Sequence, residues 1–157
     1  MEFIEICYLD TNFRIYLSGI VYRQITGSCR FGKKGDWMLI NVSMSKNGYY
    51  NIHISNKQVF IHRLIAYAYL GLDITNTKIK VDHINRDPSD NRVCNLRLVT
   101  NQQNQFNRNP KGYYKTKYGR YQAHIMVNGV LEHLGTYATP EEAHNKYLEA
   151  KKIKHII

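Results

Sequence analysis

Alternating apolar and polar positions predict strands through the first third of the chain. One run extends from Ile4 to Tyr8 and another from Phe13 to Leu17. A third run covers Met38 to Met44, and Asn47-Gly48 then forms a turn signal before residues 50–54. A period of two places successive side chains on opposite faces of a strand, and Asn-Gly is a strong hairpin signal. We expect a small antiparallel sheet in this region.

Between Val59 and Gly71 the pattern changes to that of a helix. A glycine such as Gly71 is suited to the end of a helix. His62 stands near the helix start, where it could act as a further catalytic group or be satisfied by packing. The apolar residues that share one helical face are Leu64, Ile65, Ala68, Tyr69 and Leu72.

Two short strands and a polar helix follow. Residues 81–85 are predicted to form a strand, the Pro-, Asp- and Asn-rich residues 86–92 a reversal, and residues 93–99 a second, half-buried strand. Thr100 and Gln103 have the spacing of a capping box and predict a helix start. Asn104 then lies in the first turn of that helix.

The last 45 or so residues predict a separate sheet-and-helix unit. Strands are expected over residues 111–116, 120–127 and 130–137, with Asn128-Gly129 as a hairpin turn. Thr139-Pro-Glu-Glu142 combines a cap, a first-position proline and a capping-box glutamate. The helix that it starts should lie across the sheet.

These elements define an α+β fold. We expect an N-terminal small antiparallel sheet, then a strand–strand–helix unit, then a three-stranded antiparallel sheet packed on one helix. Pro110 marks the expected boundary between a domain of residues 1–109, with its core at about 59–108, and a domain of residues 111–157.

The strand–strand–helix unit carries the candidate chemistry. Asp82-His83 lies on the first strand, Asn95 lies on the second, and Asn104 falls in the first turn of the helix. Together they would offer a carboxylate, an imidazole and amide oxygens, which is the composition of a metal-and-base site. Because neighbours on a regular strand point to opposite faces, Asp82 and His83 can share a site only at a twisted strand end or edge.

These residues resemble the HNH nuclease family over about residues 59–108. The resemblance implies that His83 is the general base, that Asp82 and Asn104 are catalytic as ligands of one divalent ion, and that Asn95 is a structural residue tying the loop to itself. Oxygen ligands favour Mg²⁺ or Mn²⁺. No structural zinc is expected, because Cys7, Cys29 and Cys94 form no close pair.

Composition agrees with a nucleic-acid partner. The chain carries 22 Lys+Arg against 12 Asp+Glu, a net charge of +10, which favours a polyanion. The cysteines are expected to be buried and reduced. The acidic start is not typical of a signal peptide, and no run is long and apolar enough for a membrane span. We expect a protein of the cytoplasm, in a phage-infected host, that is not secreted.

The C-terminal unit resembles the Apetala-type domain of plant ethylene-response factors. The motifs that carry this resemblance include Gly112, residues 119–125, residues 134–137 and residues 139–143. That family implies a sheet laid in the DNA major groove. The groove arginines and tryptophans of the plant domains are nearly absent here, so phosphate contacts are favoured over base readout. The expected DNA-binding residues are Arg108, Lys111, Tyr114, Lys115, Thr116, Lys117, Tyr118, Arg120, His124, Met126 and His133.

The sequence therefore predicts a metal-dependent DNA endonuclease that resembles homing endonucleases. It would act on double-stranded DNA as a monomer or homodimer, nicking or cutting both strands, with no membrane partner and no small-molecule substrate. The alternative is a non-catalytic DNA-binding regulator that retains a decayed nuclease fold. An RNA-binding module is less favoured, because the chain lacks an RNA-stacking signature.

Overall fold

The structure confirms the α+β fold class. It is a computed structural model that describes residues 2–27 and 29–155. The chain divides into two compact units, residues 1–98 and residues 99–157. The sequence places a domain boundary at Pro110. These two units do not test that boundary, which stays a prediction.

The first unit begins with a four-stranded antiparallel sheet in the order β1-β2-β3-β4. The Phe13 and Ile15 side chains of its second strand are completely buried because the alternating pattern aims them at the core. A tight turn at Ser18-Gly19 joins the second and third strands, and Gly19 there has a φ of +85°. The strands are β1 (Phe3–Tyr8), β2 (Thr11–Tyr16), β3 (Val21–Gln24) and β4 (Trp37–Leu39).

A second, three-stranded sheet in the order β5-β6-β7 follows. It consists of β5 (Ser43–Met44), β6 (Tyr50–Ile54) and β7 (Lys57–Phe60). The prediction of one N-terminal sheet was therefore wrong. The alternating run from Met38 to Met44 breaks after Leu39, and its two ends pair in different sheets.

Helix α1 (Ile61–Tyr69) supplies the centre of the core in the first unit. Leu64, Ile65 and Ala66 are completely buried, and they join Phe13 and Ile15 in one apolar cluster. The chain leaves the helix through Gly71, whose φ is +68°, and Leu72 returns to the core. The predicted helical face is confirmed, although Leu72 lies beyond the helix end.

The strand–strand–helix segment follows α1. It consists of β8 (Ile79–His83), a single 3₁₀ turn (Val93–Asn95), β9 (Leu96–Thr100) and α2 (Asn101–Asn107), and β8 pairs with β9. The predicted second strand was wrong in its first three residues, which form the 3₁₀ turn. The Asn95 side chain bonds the preceding loop there and removes these residues from the strand ladder. The capping box of Thr100 and Gln103 is present at the start of α2.

The second unit contains α2, a three-stranded sheet and α3 (Pro140–Lys154). The sheet order is β10 (Tyr113–Lys115), β11 (Tyr121–Val127) and β12 (Val130–Tyr137), all antiparallel. Ile125 packs with Tyr147 and Ala150 of α3, so the predicted packing of helix on sheet is confirmed. Thr139 and Glu142 form the predicted capping box of α3.

Gly112 is the tightest backbone position in the second unit. Its φ is +71°, and a Cβ there would lie 2.0 Å from Cγ of the buried Tyr147 ring. We expect Gly112→Ala to destabilise the protein by at least about 1–3 kcal/mol, the usual cost of backbone strain, with the clash added to it. Thermal unfolding measures this loss.

Gly129→Ala is the matched control for this prediction. Gly129 also has a positive φ, +81°, but a Cβ there meets nothing within 4 Å. The control should show the strain without the clash. Equal losses of stability in the two variants would contradict the role assigned to the Tyr147 contact.

The three cysteines lie at the surface. Cys7, Cys29 and Cys94 are all exposed, so the prediction of buried thiols was wrong. Cys94 lies in the 3₁₀ turn, where its neighbour Asn95 takes the buried position. Across residues 2–27 and 29–155, no helix is long and apolar enough to cross a membrane.

Candidate active site

His83 ends strand β8 and is almost completely buried, with 4% of its surface exposed. Its Nε2 lies 3.1 Å from Oδ1 of Asn91. An amide oxygen only accepts hydrogen bonds, so Nε2 carries a hydrogen, and in the corresponding neutral tautomer the lone pair is on Nδ1. Nδ2 of Asn91 donates to the Ser89 carbonyl at 3.5 Å, which turns the amide oxygen toward His83. A single tautomer of His83 is thereby favoured.

Asp82 precedes His83, and its side chain contacts Arg97 rather than Asn91. One of its oxygens, Oδ2, accepts from Nε of Arg97 at 2.9 Å and lies 2.8 Å from its Nη2. Arg97 lies on the adjacent strand β9, and its side chain is 27% exposed. The Asp82 side chain is therefore held by Arg97 at the strand end, while the adjacent imidazole contacts the loop.

Asn95 joins both ends of the loop that contains Asn91. Its Oδ1 accepts from the backbone N–H of Asn85 at 3.0 Å. Its Nδ2 donates to Oδ1 of Asn85 at 3.0 Å and to the Asp90 carbonyl at 2.8 Å. Asp90 also binds the Arg92 guanidinium, which lowers the pKa of its carboxyl group to about 2. Loop residues 85–92 are therefore fixed by side-chain hydrogen bonds rather than by a strand ladder.

His62 lies beside His83 inside the first unit. The two ring centroids are 5.3 Å apart, and the ring of Tyr49 lies against both imidazoles. Burial, with the nearby His83 and Arg63 charges, lowers the pKa of His62 to about 3. Its Nδ1 is buried without a hydrogen-bond partner. His62 is therefore a neutral imidazole that packs against His83.

The N-terminal sheet supports the loop that orients His83. The backbone N–H of Val93 donates to the Leu17 carbonyl at 3.0 Å, at the turn between β2 and β3. A Cβ on Gly19 would lie 2.7 Å from the carbonyl oxygen of Asn91. This close approach explains why a glycine occupies the turn. It also gives the first sheet a role in supporting this loop.

Sequence reasoning missed three residues at this site: Asn91, Arg97 and Tyr49. Asn91 lies among several Asn and Asp residues of a turn-rich loop, where composition alone does not separate it from its neighbours. Arg97 was predictable as the partner of Asp82, because side chains on two paired strands contact each other across the sheet. Tyr49 comes from a distant turn, and no local signal relates it to His83.

Asn104 belongs to the second unit. It lies in the first turns of α2 and is half-buried. The helix has no fully buried residue, in keeping with its polar sequence. Phe106 stacks on His155 with ring centroids 3.9 Å apart, and Gln102 donates to Oδ1 of Asn128 at 2.8 Å. Contacts within the second unit therefore hold this helix.

The predicted DNA-binding residues are spread over the exposed part of the second unit. Tyr118 is 79% exposed and Lys117 lies over its ring at 4.9 Å. Thr116 is only half-buried, and its hydroxyl accepts from the Arg120 N–H to close the turn between β10 and β11. The backbone carbonyl of Arg108 accepts from Lys151. Side chains exposed to solvent include Lys111, Tyr114, Lys115, Lys117, Arg120, Met126 and His133, while His124 is half-buried.

The donor chemistry at Asp82 and Asn104 suits a hard divalent ion. Both side chains offer oxygen, which Mg²⁺ prefers, and this ion takes few protein ligands and keeps several waters. In residues 2–27 and 29–155, His, Cys, Asp and Glu form no group of three or more that could hold a metal.

The segment that contains Asp82, His83, Asn91 and Asn95 is similar to known proteins. Residues 59–106 match the family model described as HNH endonuclease. An uncharacterised HNH endonuclease of Acanthamoeba polyphaga mimivirus is 33% identical over 111 residues, which are 66% of this chain and 57% of the viral protein. The chain therefore spans about 57% of the length of that relative.

One solved structure also aligns with most of the chain. It is the structure titled "DNA binding and cleavage by the HNH homing endonuclease I-HmuI", with a TM-score of 0.46 and 21% sequence identity. The alignment covers 93% of this chain and 83% of that one.

Proposed function

We propose that this chain is a metal-dependent DNA endonuclease of the homing type that hydrolyses phosphodiester bonds. The observation that carries the proposal is the buried His83, tied through Nε2 to Asn91 beside the Arg97-paired carboxylate of Asp82. It occurs inside the segment that matches the HNH endonuclease family. An imidazole that is held in one orientation can take a proton from a water molecule within hydrogen-bond reach.

His83 acts as the general base in this proposal. With the hydrogen on Nε2 held by Asn91, the lone pair on Nδ1 accepts a proton from the attacking water. Asn91 thus acts as the orienting partner of His83. It fixes the tautomer and the ring plane, as the partners of other catalytic imidazoles do. His62 remains neutral, because burial keeps its pKa near 3, and adds no competing positive charge.

Asp82 and Asn104 are the proposed ligands of one Mg²⁺ or Mn²⁺ ion. Such an ion, when bound, stabilises the negative charge that develops on the phosphate and on the departing 3′ oxygen. The Arg97 guanidinium binds the Asp82 carboxylate and limits its rotation. Asn95 holds the ends of the loop together, which keeps Asn91 against the base.

The second unit is proposed to hold double-stranded DNA in the manner of an Apetala-type domain. Support comes from the cations around the turn between β10 and β11, which are exposed and have no acidic residue among them. Each cation that contacts a phosphate releases counterions, so such binding weakens steeply with salt.

We expect Lys115→Ala combined with Lys117→Ala to weaken DNA binding and to flatten its salt dependence. Two lost phosphate contacts should reduce the slope of log K against log salt by about 1.8, at about 0.9 per contact. Fluorescence anisotropy on a labelled duplex at several salt concentrations measures both quantities.

Lys146→Ala combined with Lys152→Ala is the charge-matched control. Both lysines are exposed on α3, which packs on the other side of the sheet. The control should change the slope much less, although it removes the same charge. Equal losses in the two double variants would mean that overall charge alone drives binding.

Incubation of the purified protein with closed circular plasmid, in Mg²⁺ or in EDTA, tests the proposed activity. The proposal expects open circular or linear DNA in Mg²⁺ and none in EDTA. Binding without new strand ends under either condition would favour the non-catalytic DNA-binding regulator instead.

A further inference from the structure

Two imidazoles meet on the outward face of the C-terminal sheet, the face opposite α3. Nε2 of His124 lies 3.2 Å from Nδ1 of His133, and their ring centroids are 4.9 Å apart. His124 is on β11 and His133 on β12, directly opposite each other in the strand register.

A β-bulge creates this pairing. Ala123 pairs with Gly135, but the next residue, His124, pairs with His133. Leu134 is therefore the extra residue of β12, and it packs in the core cluster with Ile125. Bulges redirect side chains next to functional sites. Without this bulge His124 would face Leu134, and the two imidazoles would not meet.

The ring of His124 is held in the orientation that a metal ligand needs. Its Nδ1 lies 3.3 Å from the Gln122 carbonyl, which can only accept a hydrogen bond. Nδ1 therefore carries the hydrogen and Nε2 presents its lone pair to His133. The Tyr114 ring stacks on the ring of His124, with centroids 5.1 Å apart and planes 15° from parallel. Histidines that bind metals commonly donate their second N–H to a backbone carbonyl in this way.

The separation of the two nitrogens also fits an ion. Two imidazole nitrogens on a tetrahedral zinc, each at about 2.0–2.1 Å, lie about 3.3 Å apart. We propose that His124 and His133 form a binding site for a borderline transition-metal ion such as Zn²⁺. On binding, the hydrogen on Nδ1 of His133 moves through solvent to Nε2 of the same ring, and both facing nitrogens coordinate the ion. Water fills its other positions.

This site differs in chemistry from the proposed nuclease centre. It offers two neutral nitrogens, whereas Asp82 and Asn104 offer oxygens, and nitrogen ligands favour Zn²⁺ over Mg²⁺. The ion is not structural, because the pair lies on the outward face and the core of the unit is formed without it. Zinc binding at His124 and His133 does not require nuclease activity.

Titration of the full-length protein with Zn²⁺ in excess Mg²⁺, followed by calorimetry, tests the site. The variants His124→Gln and His133→Gln should each bind one zinc ion fewer, or bind that ion at least about 10- to 100-fold more weakly. This range is the usual loss of affinity when only a hydrogen-bond partner of a metal ligand is removed. The zinc equivalent should also weaken as pH is lowered, because protons compete for the lone pairs.

His53→Gln is the matched control, since His53 is exposed on β6 and belongs to no imidazole pair among the described residues. It should bind zinc as the wild type does, and circular dichroism should show all three variants folded. Unchanged zinc stoichiometry and affinity in His124→Gln and His133→Gln would overturn the proposal.

Discussion

Replacing His83 by alanine should lower the single-turnover rate of DNA cleavage by roughly 10²–10⁴-fold, the usual contribution of a positioned general base. The reason is geometric: His83 is buried, its Nε2 is engaged by Asn91, and its Nδ1 is the atom that we propose takes the proton. DNA affinity should remain near the wild-type value, because the cations proposed to contact phosphate lie elsewhere in the chain. End-labelled duplex, with the protein in excess, gives the rate.

The matched control is His53→Ala, which removes an exposed imidazole from strand β6 of the same unit. Because His83 packs against Tyr49 and His62, His83→Gln should be measured beside the alanine variant as a replacement that keeps more of the buried volume. A His83 variant that is folded and cuts at nearly the wild-type rate would remove this residue from the mechanism.

Asp82→Asn and Asn104→Ala should each lower Mg²⁺- or Mn²⁺-dependent cleavage by at least about 10²-fold while leaving the fold intact. A bound cation stabilises the developing charge by several kcal/mol, and each 1.4 kcal/mol corresponds to a factor of ten in rate. The asparagine at position 82 can still accept from Arg97, whose side chain is 27% exposed and can regain water. The measurement is the cleavage rate against Mg²⁺ concentration, with circular dichroism to check folding.

Asn101→Ala is the control for Asn104, since it removes an exposed amide from the first position of the same helix. In Asp82→Asn, half-maximal cleavage should require a higher Mg²⁺ concentration. If both site variants cleaved like the wild type at every Mg²⁺ concentration, the assignment of these two ligands would fail.

Much of the fold could be predicted from short-range sequence signals. The capping boxes at Thr100 and Thr139 depend on residues three positions apart, so the sequence was sufficient to predict both helix starts. The packing of β11 on α3 was predictable as well, because strict alternation places Ala123 and Ile125 on one face.

Long-range contacts limited the rest of the prediction. The run from Met38 to Met44 alternates throughout, yet it serves two sheets, because strand pairing depends on distant partners. The bond from Asn91 to His83 depends on the path of loop 85–92, which Asn95 fixes through three hydrogen bonds. The pairing of His124 with His133 depends on one extra residue in β12, a bulge that has no clear sequence signal.

The central claim is that water activated at His83 hydrolyses DNA, and cleavage in ¹⁸O-labelled water tests it most directly. The account predicts that, in Mg²⁺, each new strand end carries a 5′ phosphate with one ¹⁸O atom, read by mass spectrometry. It also predicts that His83→Ala yields correspondingly few labelled ends. New ends without ¹⁸O, or no new ends in Mg²⁺ at all, would contradict the account.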